Sequence, residues 1–207
     1  MQITLSDSGK RFNRDWIFRN INQTFYAKKS YAIVGNNGSG KSTLLQSIAG
    51  ILQLNQGKIL WSIQQKEISP ENIYKNFSIV APYLELVEEM TALEFLNFHG
   101  KFKPFFPDIT VPQILDEVEL PASAYNKQIR YFSSGMKQRI KLAQAIFSNV
   151  PVLLLDEPCT NLDKNGYSLY HRLIDTYCKE KIIIISSNDE GEYNFCTDLI
   201  NIQDYKS

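Results

Sequence analysis

The chain has no excess charge with which to attract a partner: 22 Lys and Arg stand against 22 Asp and Glu in 207 residues. A neutral chain exerts no long-range pull on nucleic acid or on an anionic lipid surface, so no nucleic-acid partner is expected and only a local basic patch could supply one. Cysteine is scarce. Cys159, Cys178 and Cys196 are odd in number, far apart and without a C-x-x-C pair, which argues against a disulfide framework or a zinc site. Histidine is rarer still, with His99 and His171 alone. The longest aliphatic runs, Val152–Leu155 and Ile182–Ile185, are far too short to span a bilayer. The opening MQITLSDSGKRF has no apolar h-region, so the expectation is no signal peptide and reduced thiols in a cytosol. Any work on a membrane would need another chain to provide the membrane part.

What is present suffices for a core. The composition is 43% hydrophobic, and the length suits one domain with a subdomain. The N-terminal third is strand-like: Met1–Leu5 alternates, Trp16–Phe25 is aromatic and β-branched, and Ser30–Val34 is a short apolar strand entering a glycine-rich turn. Lys41–Ile51 has helical spacing in Leu44, Leu45 and Ile48, and Gly57–Ile63 and Phe77–Ala81 read as further strands. Thr91 and Glu94 form a capping box that opens a helix through about His99. Lys101–Pro112, broken by three prolines, predicts a loop. Helices are predicted around Val111–Glu119 and over Ser134–Phe147. From Pro151 strands and helices alternate: Val152–Leu155, a helix near Asn165–Lys179, Lys181–Ile185, a short helix near Glu190–Cys196 and Leu199–Ile202. That β-α-β-α-β order predicts an α/β fold with a parallel sheet, interrupted by a mainly helical insert.

The strongest chemical signal is Gly35, Asn36, Asn37, Gly38, Ser39, Gly40, Lys41, Ser42 and Thr43, which match G-x-x-x-x-G-K-[ST] between a strand and a helix. Glycines let the backbone N–H groups turn inward as an anion nest, and the helix adds its positive end. Lys41 would reach the β- and γ-phosphates of ATP, and the Ser42 hydroxyl would ligate Mg²⁺. A second signal is Asp156-Glu157 at the C-terminal end of the apolar run Val152–Leu155. Two acids there are costly without a cation or a task. Asp156 would hold Mg²⁺, and Glu157 would polarise the attacking water.

Phe132-Ser133-Ser134-Gly135-Met136 lies about twenty residues before Asp156, at a helix start. It resembles the signature motif of the ATP-binding cassette (ABC) ATPases, usually L-S-G-G-Q, with Ser134 in place of the first glycine and Met136 in place of the glutamine. The resemblance covers nearly the whole chain. Thr160-Asn161-Leu162-Asp163 looks like the family's D-loop, and Phe12 like the aromatic that stacks on adenine, with Trp16 the competing candidate. The resemblance implies a P-loop NTPase (RecA-like) core with a parallel sheet, an N-terminal antiparallel β part and a helical subdomain. The core would take residues of about 1–84 and 149–207, and the signature-bearing insert about 85–148. It also implies a head-to-tail dimer, homomeric or heteromeric, with each ATP held between one subunit's P-loop and the other's Ser133–Met136. A separate transmembrane permease is the implied partner, placing the chain at the inner face of the cell membrane.

Two family residues are missing. The Q-loop glutamine, expected after Phe77–Ala81, is replaced by Pro82 or Tyr83. The switch histidine, expected after the strand ending at Ile185, is replaced by Asn188, whose amide can donate to a phosphate oxygen but carries no proton or charge. Asn188 is also open to a plainer role as the N-cap before Asp189-Glu190. Two functions follow: a slow ATP hydrolase using Glu157, or an ATP-binding switch with little turnover. A third, a DNA-repair or translation-type ABC protein, usually needs coiled coils or two cassettes, and this chain has neither. The aromatic and aliphatic residues Tyr83, Leu84, Leu86, Val87, Phe95, Phe98, Phe102, Phe105 and Phe106 would be a dock for a membrane partner or the packing of the insert.

Overall fold

An unbroken run of isoleucines forms a strand only where both of its faces are covered. Ile182–Ser186 is such a strand, with all five residues buried. The computed structural model describes residues 1–206, which form two compact units. The first contains the chain up to Phe77, Pro151–Glu157 and the chain from Glu180 on; the second contains Ser78–Val150 and Pro158–Lys179.

In the first unit, β1 (Gln2–Phe12) and β2 (Asp15–Tyr26) form a hairpin that continues through β4 (Gln56–Ile63) to β5 (Lys66–Glu67), in the order β2-β1-β4-β5. The predicted strand at Met1–Leu5 runs on to Phe12 because shifts of register at Leu5/Ser8 and Ser8/Lys10 carry the pairing past Asp7 and Gly9. Beside this antiparallel sheet, β7 (Val152–Asp156), β8 (Ile182–Ser186), β3 (Ser30–Val34) and β9 (Asp198–Asn201) lie in that order. The three central strands pair in parallel, with Ser186 level with Asp156 on one side and with Ile33 on the other. This register brings the chain leaving β7, β8 and β3 to one edge, where open parallel sheets bind ligands. Helix α1 (Lys41–Ile48) covers β7 and β8 with Leu44, Leu45 and Ile48 buried. Its C-terminal end is tied to the other sheet by the buried indole of Trp61, which donates to Ile48 O at 3.0 Å. The short α6 (Glu190–Tyr193) precedes β9.

β6 (Phe77–Val80) leads into the second unit, which holds α2 (Ala92–Phe102), α3 (Val111–Glu117), α4 (Ser134–Ile146) and α5 (Lys164–Tyr177). The Thr91/Glu94 capping box forms as predicted. The region expected to be a loop is shorter than Lys101–Pro112: α2 runs to Phe102, and Pro112 sits inside the first turn of α3 behind a second capping box, Thr110 with Gln113. Proline fits there because a first-turn N–H has no helical acceptor to lose. α4 packs against α2, α3 and α5 through residues that include Ile140, Ala143 and Ile146.

His99 belongs to this packing. Its ring stacks on Phe105 at 5.6 Å, and its Nε2 lies 3.1 Å from Ser148 Oγ. The Ser148 hydroxyl donates to Gln144 O at 2.5 Å, so the imidazole Nε2–H is the donor to Ser148. Burial, and then the charge of Lys103, pull the His99 pKa down to about 4. The unfolded chain takes up this proton near pH 6.5, and the folded chain only near 4, so stability is full above 6.5 and falls as the pH drops between them. The expected loss is on the order of 2 kcal/mol by pH 4, allowing for partial exposure. Urea titrations from pH 7.5 down to 4.5 should show that slope, and His99→Gln should flatten it.

Candidate nucleotide-binding site

The P-loop follows β3 and opens α1 through a left-handed backbone. Gly35 has φ +145° and Gly40 φ +106°. At Gly40 a side chain is barred twice over, because a Cβ would also lie 2.3 Å from Ile17 Cγ2. A cavity of about 240 Å³ is lined by Ile17, residues 37–43 and Glu157. Helical hydrogen bonding begins with Leu44 N donating to Gly40 O, so the first-turn N–H groups have no helical acceptor. Lys41, 95% buried, donates from Nζ to Gly35 O at 2.9 Å and Asn36 O at 3.2 Å. The Ser39 hydroxyl is buried without a hydrogen-bond partner among the described residues.

Asp156 ends β7 and accepts a hydrogen bond from Ser42 Oγ at 2.9 Å. Burial raises its pKa; the hydroxyls of Ser186 and Ser42 work against that, Glu157 adds to it, and Lys41 opposes it. Glu157 leaves the strand at φ +45°, its N–H donating to Ser186 O. That conformation costs a non-glycine residue about 1 kcal/mol and is the kind of strain found at functional sites.

These features fit a nucleotide polyphosphate with a divalent cation. An orphaned buried hydroxyl and a lysine bonded only to backbone carbonyls await an anion. The Ser42–Asp156 pair offers oxygens from a hydroxyl and a carboxylate, the donor set that suits Mg²⁺. A raised pKa means that the ionised Asp156 works against the fold at neutral pH, because stability falls as the pH climbs from the unfolded value through the folded one. Asp156→Asn is therefore expected to raise the Tm of the metal-free protein. It should also remove the further rise that Mg²⁺ with ATP produces in the parent chain. Thermal unfolding in EDTA and in MgATP measures both.

The two aromatic candidates lie on the same hairpin. Phe12, 46% exposed, pairs with Asp15 beside the turn, and the register shifts between this end of the hairpin and the Lys10/Phe18 pair, at Ile17, the residue against Gly40. Trp16 is near Gly9, with the guanidinium groups of Arg11 and Arg19 at 5.6 and 4.8 Å from its ring. Asn188 lies two residues past β8, exposed and without a side-chain hydrogen bond among the described residues. It is not the N-cap of α6; that role belongs to Asp189, whose Oδ1 accepts from Gly191 N at 2.8 Å. The cap falls one residue later because the Asp189 carboxylate takes the Gly191 N–H, the donor that a cap at Asn188 would need.

The second unit gathers the other motif residues. Ser133 caps α4, its Oγ accepting from Met136 N at 3.2 Å. Ser134, Gly135 and Met136 join it in lining a cavity of about 470 Å³ with Asp163 and Asn161. At Gly135 a Cβ would meet Asn161 O at 3.3 Å, so the small residue permits this approach. Asp163 caps α5, accepting from Gly166 N at 2.8 Å. Where the family glutamine is missing, Lys141 Nζ reaches Ala81 O at 3.4 Å and Pro82 O at 3.3 Å, and the Tyr83 side chain is exposed. Of the proposed dock, Leu86 and Phe95 are core, whereas Tyr83, Val87, Phe98 and Phe102 are exposed. Two site residues were not anticipated. Ile17 looked like any strand aliphatic, and Glu119, in the signature cavity, had the look of a helical surface acid.

Comparison with known proteins agrees with this geometry. The family model described as ABC transporter matches residues 18–160. The ABC transporter ATP-binding protein YybJ of Bacillus subtilis is 31% identical over 194 residues, covering 90% of this chain and 86% of that protein. The lantibiotic transport ATP-binding protein SrtF of Streptococcus pyogenes is 28% identical over 204 residues, covering 96% and 85%. Among solved structures, the dimeric bacterial ABC transporter cassette MJ0796 superposes with a TM-score of 0.83 at 21% identity, over 97% of this chain and 94% of that one. A post-hydrolysis state of the same cassette, bound to ADP and Pi, gives a TM-score of 0.79 at 20% identity, with the same coverage. At those identities the structural likeness is one of fold.

Proposed function

The chain belongs to the ABC transporter ATP-binding family, and we propose that it is the ATP-binding subunit of a transporter, hydrolysing MgATP slowly to drive a separate transmembrane permease. No helix among the described residues is long and apolar enough to cross a membrane, so in this reading the chain works from the inner membrane face through its partner.

The observation that carries the hydrolase reading is Glu157. A carboxylate in a strained backbone at the wall of the P-loop cavity suits activation of water, and a binding switch has no need of it. Lys41 and the first-turn N–H groups of α1 would hold the β- and γ-phosphates, with the Ser39 hydroxyl as an added donor. Ser42 and Asp156 would hold Mg²⁺, which supplies positive charge where the phosphoryl group transfers. Phe12 would take the adenine. Asn188, unpaired at the end of β8, would donate to a phosphate oxygen.

The second half of the site would come from another subunit. A serine hydroxyl and free N–H groups at the start of α4 form an anion-binding end of the kind that phosphates occupy. Ser133–Met136 of one subunit would meet the ATP on the P-loop of the other, with Asp163 beside that junction.

Asn188 favours the alternative, an ATP-operated switch, because an amide cannot replace a charged donor in the transition state. Steady-state phosphate release from MgATP by the purified chain decides between the two. Sustained turnover is the expected result. ATP binding with no phosphate released, even with the membrane partner present, would give the site to the switch.

A further inference from the structure

Helix α4 buries one polar side chain in an otherwise apolar face. Ile140, Leu142, Ala143, Ala145 and Ile146 form that face, and Gln138 is buried with them, 5% exposed. An amide in such a place destabilises the fold unless it is hydrogen-bonded. Gln138 Nε2 donates to Pro158 O at 2.5 Å. Pro158 is itself buried, and it is the residue that follows Glu157.

The carbonyl it holds belongs to a turn with left-handed backbone at both ends. Glu157 has φ +45° and Asn161 φ +66°, and between them Leu162 N donates to Cys159 O at 2.9 Å. A proline steers the residue before it towards extended backbone. Glu157 therefore keeps its φ against preference, and such a conformation persists only where its surroundings over-determine it. On the N-terminal side the Glu157 N–H donates to Ser186 O at 2.9 Å. On the C-terminal side the first carbonyl beyond Glu157 is the one that Gln138 holds.

We propose that Gln138 is a positioning residue for hydrolysis: its amide clamps the turn after Glu157 and so aims the carboxylate that activates water. This rests on the reading of Glu157 as the base. An apolar side chain would fill the buried face of α4 as well as glutamine does, but only a donor can clamp a carbonyl. The clamp matters because a displacement of about 1 Å at an activating group costs on the order of 10²-fold in rate.

The test is made on the full chain with Gln138→Met, which keeps the length of the side chain and removes the donor. Steady-state MgATP hydrolysis should show kcat lowered about 10- to 10²-fold, with KM and the affinity for MgATP within about twofold of the parent chain. Gln138→Leu, also without a donor, should behave alike. In the Glu157→Gln chain, followed by single-turnover phosphate release, Gln138→Met should cost less than about twofold more, because a residue that acts through Glu157 then has nothing to aim. If kcat is kept and only the Tm falls, Gln138 is a packing residue and there is no clamp. If kcat falls by the same factor with and without Glu157→Gln, Gln138 does not act through Glu157, and the proposal is overturned while the hydrolase reading stands. If Glu157→Gln by itself leaves turnover unchanged, the base assignment fails and the clamp fails with it.

Discussion

Glu157→Gln is expected to lower steady-state MgATP hydrolysis by at least about 10²-fold while leaving nucleotide binding within a few fold of the parent chain. Glutamine keeps the shape of the side chain and one acceptor oxygen, but it cannot take a proton. The affinity should survive because the groups suited to the phosphates are elsewhere: Lys41 Nζ, the Ser39 hydroxyl and the first turn of α1. Phosphate release beside nucleotide titration separates the two effects. Equal loss of both would mean that Glu157 supports the P-loop rather than activating water. The backbone makes this a fair test, since φ +45° at residue 157 is no harder for glutamine than for glutamate.

Asn188→His is expected to act in the opposite direction, raising kcat by about 10–10²-fold with KM for ATP little changed. A positioned charged donor contributes on the order of 2–4 kcal/mol to a developing oxyanion, and an amide supplies only part of that. The exposed position lets histidine enter without displacing a packed neighbour, and no side-chain hydrogen bond of Asn188 is lost. The variant should also gain a pH dependence centred near histidine's ordinary range of about 6.5, absent from the parent chain. A variant with unchanged turnover and a flat profile would show that the residue after β8 does not reach the phosphates.

The motifs were legible in the sequence because each is continuous. Glycines, a lysine and a hydroxyl at fixed spacing, two acids closing an apolar run, and a serine opening a helix are local patterns with local physical causes. Binary patterning also yielded the types of the main elements, because Ile182–Ile185 and Val152–Leu155 can be satisfied only inside a covered sheet. Boundaries were less legible. Pro112 reads as a breaker until a capping residue, Thr110, sets it in a first turn. Asn188 reads as a cap until Asp189 takes the Gly191 N–H and sets the cap one residue later.

Composition and spacing thus pointed to the kind of chemistry: a phosphate loop, a candidate cation-binding acid, a candidate base and no membrane-spanning run. Tertiary structure decided which residues meet. Only the level pairing of Ser186 with Asp156 and Ile33 brings the ends of β7, β8 and β3 to one edge. Only the fold of α3 onto α4 presents Glu119 to the signature cavity. These are non-local contacts, fixed by strand register and helix packing across tens to more than a hundred residues, and no local pattern in the chain encodes them.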